Sequence, residues 1–266
     1  MSMSNYESYQ VRGASLRVDV NYESTIGIYG DPFWSEISNG SYEVVTFNFI
    51  EKLRDTGYNH FIDIGAATGC MTLYAASTGL QVISIEPQEI VYKALLKNVA
   101  LNPSLKSKIL LVYALVSKSK DQISISESFT PGAGGPISSG KLTSNLVTIK
   151  ELLEMAGVDS KVAMKIDIEG AEFPLLTDKP TVEFLSKRKP TIYLALHPGF
   201  KRPLKTNANF ISRFLWRIQA SKDVLSFYVS ISRRANIYVA SNNEKINLLG
   251  LFQALIRDEK DYLIKF

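Results

Sequence analysis

Phe61-Ile62-Asp63-Ile64-Gly65-Ala66-Ala67-Thr68-Gly69 decides the fold of this chain. An apolar stretch carrying one acid runs into a turn of small residues, and the sequence continues as a helix from Cys70. Glycines let backbone approach a ligand closely, and a helix N-terminus is expected to offer free N–H groups. A second apolar strand follows at 80–87 (LQVISIEP). Strand, turn, helix and strand in this order predict a parallel sheet with crossover helices.

The spacing of the turn selects its ligand. Dinucleotide folds place G-x-G-x-x-G here, so that pyrophosphate meets the helix dipole, whereas this chain has Asp63 and then Gly65-x-x-x-Gly69. An acid at the turn repels pyrophosphate but suits a cation such as the sulfonium and ammonium of S-adenosylmethionine (SAM). Glu86, at the end of the next strand, is placed to accept the two ribose hydroxyls, as an acid does in dinucleotide sites. The stretch from Gly135 to Lys141 imitates a phosphate-binding loop. It has Leu142 where the magnesium-binding hydroxyl belongs, and Pro136 removes an N–H from the cradle.

Outward from this core, residues 42–54 read as an amphipathic entry helix. Further helices are expected over 87–102, 147–156, 173–185, 209–220 and 245–257. Strands are expected over 109–116, 122–126, 162–168, 191–196, 225–231, 236–240 and 262–266. Residues 128–145, rich in small residues, are the candidate lid. The chain is divided into an entry segment, 1–59, and a catalytic domain, 60–266. The expected fold is a Rossmann-like α/β domain around a mostly parallel seven-stranded sheet with helices on both faces.

Composition narrows the class. With 45% hydrophobic and 21% charged residues over 266 positions, the chain can bury one large α/β core. No apolar run reaches membrane-spanning length and the start MSMSNYESYQ lacks signal-peptide character, so a cytoplasmic location and no membrane partner are expected. One cysteine, Cys70, and two histidines, His60 and His197, rule out structural zinc on multiple cysteines. Between Thr181 and Arg234 eleven Lys or Arg face only two acids, Glu183 and Asp223. That excess is read mainly as a solvated face, with an anionic partner as the alternative.

The reacting end is read from residues 162–170. Alternation along Val162-Ala163-Met164-Lys165-Ile166-Asp167-Ile168-Glu169-Gly170 puts Lys165, Asp167 and Glu169 on one face. Central parallel strands are normally apolar on both faces, so charges at a strand's carboxyl end point to the ligand crevice. An ion-pair network around Lys165 is the structural alternative. The strand at 191–196 ends in His197-Pro198-Gly199, which sets an imidazole at its mouth. His60 precedes the first strand, at the amino end, and receives no role.

These motifs resemble the FkbM family of SAM-dependent methyltransferases, over roughly residues 40–199. The turn at 61–69, Ile85-Glu86-Pro87, Leu96-Lys97-Asn98 with Asn102, residues 146–153 (LVTIKELL) and above all 165–172 (KIDIEGAE) follow the family's order, and Tyr42-Glu43 resembles its entry-helix motif. The expected cofactor residues are Asp63, Gly65, Ala66, Thr68, Gly69, Glu86, Pro87, Ala114 and Glu43. Ala67-Thr68 replace the family's usual Asn and hydrophobic residue. Ala195 or Leu196 stands where an acid often precedes the histidine, which weakens the case for a neighbouring carboxylate that orients His197.

The resemblance implies O-methylation of a hydroxyl on a sugar, glycan or related metabolite. Asp167 is then the first choice as base, with Glu169 and His197 as competitors, and Asp167 with Glu169 is a candidate pair for a divalent cation such as magnesium. A nucleic-acid (RNA) methyltransferase using the basic segment is the competing enzyme, with no RNA-binding motif in its favour. A SAM-binding protein without catalysis and a nicotinamide oxidoreductase complete the alternatives.

Overall fold

The computed structural model describes residues 6–27, 30–119, 145–168, 171–197, 210–256 and 261–266, the side chains of 210–217 and 256 excepted. Candidate strand 122–126, all of the candidate lid 128–145 but Asn145, Glu169, Gly170, Pro198 and Gly199 lie outside them. The chain divides into two compact units, Met1–Lys165 and Ile166–Phe266.

The first unit opens with a hairpin that sequence reading did not anticipate. Strands β1 (Glu7–Val11) and β2 (Ala14–Val18) pair antiparallel, with Val11 opposite Ala14. The two residues between them, Arg12 and Gly13, both have positive φ, 48° and 87°, the geometry of a type I′ turn whose twist matches that of the strands. Each strand buries alternate residues: Tyr9, Val11, Leu16 and Val18 point inward. Helices α1 (Val20–Thr25), α2 (Asp31–Ser38) and α3 (Val44–Asp55) follow. Trp34 from α2, and Phe47 and Ile50 from α3, are essentially fully buried. Each such side chain contributes roughly 1.5–3 kcal/mol of hydrophobic stabilisation.

The α/β pattern then begins where expected. The elements are β3 (His60–Ile64), α4 (Cys70–Ser77), β4 (Gln81–Glu86), α5 (Glu89–Leu101), α6 (Pro103–Lys106), β5 (Ile109–Val116), β6 (Asn145–Val147), α7 (Ile149–Met155) and β7 (Val162–Ile166). The hydrogen-bonded order in this unit is β6-β5-β4-β3-β7, and β3, β4, β5 and β6 run parallel. Every residue of α4 from Cys70 to Ala76 is buried, as its sequence, apolar but for Thr72 and the Tyr74 hydroxyl, suits in a central helix. Thr148 and Glu151 form a reciprocal capping box that starts α7.

The second unit, which takes up the chain at the end of β7, contains α8 (Glu172–Thr177), α9 (Lys179–Arg188), β8 (Thr191–Ala195), α10 (Phe210–Ser232), β9 (Asn236–Val239), α11 (Leu248–Ile256) and β10 (Asp261–Lys265). Strand β10 lies antiparallel between β8 and β9. Asp178 separates α8 from α9 by capping the Thr181 N–H, with Pro180 in the first turn of α9.

One expected strand is a helix. Residues 225–231 (LSFYVSI) alternate in hydropathy, yet they form the last turns of α10. Leu225 and Val229 are exposed while Val224, Phe227 and Ile231 are buried, a spacing of three and four residues that only a helix gives. Phe227 meets Phe173 of α8 edge-on, with ring centroids 5.9 Å apart. Beside the hairpin, the described residues hold eight strands, one more than the seven expected. The three-residue β6 occupies the approach to α7, where sequence reading began the helix.

Candidate active site

The first unit builds the turn from its glycines. Gly65 (φ 83°), Ala67 (φ 49°) and Gly69 (φ 97°) all adopt left-handed backbone between β3 and α4. A Cβ on Gly69 would stand 2.5 Å from Leu95 Cδ1, so the position needs glycine for space as well as for φ. Four of the turn's N–H donors bond within the protein. The N–H groups of Gly65 and Ala66 bond the Ile85 carbonyl, that of Gly69 bonds the Ala66 carbonyl, and that of Ala67 bonds Glu86 Oε2 at 3.1 Å.

Two acids close the carboxyl ends of neighbouring strands. Asp63 is buried and accepts the Thr72 hydroxyl at 2.7 Å, and the same hydroxyl lies 2.6 Å from Ser84 Oγ of β4. Glu86, only 5% exposed, accepts from the N–H of Ala67 and, at 2.9 Å, of Gln88. Burial pushes its carboxyl up to about 7; the two backbone hydrogen bonds oppose the rise and the charge of Asp63 adds to it. Each carboxylate oxygen keeps a lone pair beyond its backbone bond. A vicinal diol supplies two hydroxyl donors to such a group, so the donor set fits a ribose.

The other expected cofactor residues are placed as follows. Pro87 follows Glu86, and Ala114 lies one residue past Tyr113, the β5 partner of Glu86. Glu43, in left-handed backbone at the start of α3, accepts the Thr46 hydroxyl. Burial pushes the Cys70 thiol well up, and the charges of Glu43 and Asp63 push it the same way, so the lone cysteine is chemically quiet.

Sequence reasoning missed what supports the turn. The Thr68 carbonyl accepts from Asn98 Nδ2 at 2.9 Å, and Asn98 Nδ2 also donates to Glu23 Oε1 at 2.8 Å. Glu23, fully buried, gathers donors from the Gly30 N–H and Trp34 Nε1 as well. Burial raises its carboxyl above the ordinary range against the pull of those bonds. Asn102 exchanges two hydrogen bonds with the backbone of Arg17 in β2. The asparagines noted in the sequence are thus struts between α5, the turn and the entry segment. The polar residues of 19–34 were the available signal, without a partner to give them meaning.

In the second unit the chain leaves β7 at Ile166, so the alternation that grouped Lys165, Asp167 and Glu169 does not extend past that point. Lys165 itself is buried. Asp167, Glu172 and His197 come together, each offering a ligand-capable atom within 4.8 Å of the others. Such a mixed oxygen and nitrogen set could hold a cation. Glu169, the other half of the expected cation pair, lies outside the described residues. Glu172 Oε1 accepts the Ile168 N–H at 3.1 Å and stands 3.1 Å from His197 Nδ1. His197 Nε2 is 3.8 Å from Asp167 Oδ1. His197 therefore has a carboxylate beside it although no acid precedes it in the strand. The carboxylate comes from the start of α8 rather than from the residues preceding the histidine.

A parallel α/β sheet with a glycine turn after one strand and a buried acid near the end of each of two neighbouring strands is an arrangement that could hold an adenosine-bearing cation. The family model described as Methyltransferase FkbM domain matches residues 63–219, more than half of the chain. The chain belongs to that family and is a SAM-dependent methyltransferase of the Rossmann-like class. The match continues beyond residue 199, where motif reading stopped.

No curated protein sequence matches it. Among solved structures, a putative O-methyltransferase from Klebsiella pneumoniae is 10% identical, with 93% of this chain and 86% of that one covered and a TM-score of 0.47. Monomeric WbdD is 15% identical, covering 89% of this chain and 44% of that one, at 0.49. An O-methyltransferase from Bacillus cereus in complex with SAH is 12% identical, covering 92% and 94%, at 0.42. Likeness at this level carries no assignment, which rests on the family match and the site. Among the described residues no helix is long and apolar enough to cross a membrane.

Proposed function

We propose that this methyltransferase acts on a hydroxyl of a sugar, glycan or related metabolite, with Asp63 and Glu86 binding SAM and Asp167 and His197 handling the acceptor's proton. The observation that carries the cofactor half is Glu86, a buried carboxylate held near neutrality with lone pairs left for a diol. Asp63, at the adjoining strand end, supplies the negative charge a sulfonium and an ammonium prefer. When bound, SAM supplies an electrophilic methyl group. The acceptor oxygen needs alignment with that methyl, and a base to take its proton as it becomes acidic. An imidazole with a carboxylate 3.8 Å away answers that need.

Calorimetric titration of the purified protein with SAM and with S-adenosylhomocysteine tests the cofactor half. Micromolar affinity, about −8 kcal/mol, is expected, followed by methyl transfer to members of a panel of sugars and hydroxylated metabolites. Absence of binding to either nucleoside would refute the reading of Asp63 and Glu86. Transfer to RNA alone would refute the acceptor class.

A further inference from the structure

We propose that Glu23 is a positioning residue of the cofactor site: acting through Asn98, it fixes the turn at 65–69, so that SAM binding and the packing of helices α1 and α2 are coupled. This rests on the cofactor reading above. Glu23 and Asn98 have no solvent exposure. A carboxylate so placed requires donors at both oxygens, and here they come from two separate helices. Glu23 Oε2 accepts the Gly30 N–H at 3.1 Å, where α2 begins, and Trp34 Nε1 of α2 at 2.8 Å. Glu23 Oε1 accepts Asn98 Nδ2 of α5 at 2.8 Å.

Asn98 uses its whole amide. One Nδ2 hydrogen goes to Glu23 and the other to the Thr68 carbonyl at 2.9 Å, while Oδ1 accepts the Asp19 N–H at 2.9 Å, just before α1. Turning the amide over would set donor against donor at Asp19 and acceptor against acceptor at Glu23 and Thr68. The carboxylate makes the strongest of the three bonds, so it chooses the orientation that aims a donor at Thr68. The peptide held in this way lies in a turn that requires holding. The residues on either side, Ala67 and Gly69, have φ of 49° and 97°, and left-handed backbone is unfavourable at an alanine. One residue before Thr68, the Ala67 N–H bonds Glu86 Oε2. The contacts thus run from α2 through Glu23, Asn98 and the turn to the carboxylate proposed to hold ribose. Linkage acts in both directions: SAM, by steadying the turn, steadies α1 and α2, and loss of the Glu23 bond weakens SAM binding.

S-adenosylhomocysteine serves as the probe, so the acceptor need not be known. Hydrogen exchange of the wild-type protein, followed by NMR, is expected to slow on saturation with this nucleoside at the Gly30 N–H and the Trp34 indole N–H. The slowing there should exceed that at the Leu152 N–H of α7, which lies outside the chain of contacts, by about 5-fold or more. Equal slowing at all three positions overturns the proposal, and this measurement alone decides if the variants below do not fold. Glu23→Gln sets one amide nitrogen against another at Asn98 and should weaken S-adenosylhomocysteine binding about 10-fold; wild-type affinity in E23Q overturns the proposal as well. Combining Glu23→Gln with Asn98→Asp restores a hydrogen bond between the two positions and keeps one buried carboxylate, but leaves the Thr68 carbonyl facing an acceptor. Relative to Asn98→Asp alone, the double variant is expected to regain stability without regaining affinity. Affinity that returns together with stability would reduce Glu23 to a structural residue. Failure of the wild-type protein to bind S-adenosylhomocysteine at all would instead fault the cofactor reading.

Discussion

Replacing Glu86 with glutamine separates what this residue does for the cofactor from what it costs the fold. The carboxyl has a value of about 7 in the folded chain against 4.5 for an ordinary glutamate in water. The folded protein thus holds the proton more tightly than the unfolded one. For an acid shifted in this direction, stability is fully retained below the unfolded value and falls as pH rises through the window between the two. Ionising the buried group costs about 3 kcal/mol in all, of which about 2.5 kcal/mol falls between about pH 5 and pH 8. Glutamine resembles the protonated side chain and has no such loss. Every other titrating group is common to both proteins and cancels in the difference. The stability of E86Q relative to wild type should therefore improve by about 2.5 kcal/mol from pH 5 to pH 8, measured by urea denaturation of ligand-free protein. In the same variant SAM should bind about 10- to 100-fold more weakly, since a charged acceptor of two hydroxyls becomes a neutral one. A stability difference that stays constant to within about 0.5 kcal/mol across those pH values would refute the burial argument for Glu86.

Two further substitutions probe the frame around the turn. Asn98→Ala removes the acceptor of the Asp19 N–H and the donor to Glu23 and to the Thr68 carbonyl, and chemical denaturation should show a loss of about 2–4 kcal/mol. Weaker SAM binding should accompany it; unchanged stability would mean that Glu23 and Asn98 are not coupled as described. Gly69→Ala meets both a φ of 97° and the Leu95 methyl, so thermal unfolding should reveal a loss of about 1–3 kcal/mol. A variant as stable as wild type would show that the turn can reshape.

The parts of the fold that were legible are those whose signal is local. Strands β3, β4 and β5 and helices α4 and α5 announce themselves through apolar runs and the glycines between them, and their order limits the topology to parallel crossovers. The hairpin was overlooked because Arg12-Gly13 is a weaker turn signal than Asn-Gly, although its flanking residues alternate as strands should. Residues 225–231 were misread because two periods coexist there. Leu225, Phe227, Val229 and Ile231 alternate along the sequence, and only burial distinguishes the two that face the core from the two that face water.

The sequence by itself shows the features on which the proposed cofactor half rests: one acid before a glycine turn and one at the next strand end, without the G-x-G-x-x-G spacing of dinucleotide folds. Those features lie within a single strand-turn-helix-strand run, so neighbours in the chain are neighbours in space. Tertiary structure alone decided the partnerships between distant residues. Asn98 reaches Glu23 across 75 positions, and Glu172 reaches His197 across 25. A lone acid has no readable role in the sequence until packing shows which distant donors it gathers, as Glu23 gathers those of Gly30, Trp34 and Asn98.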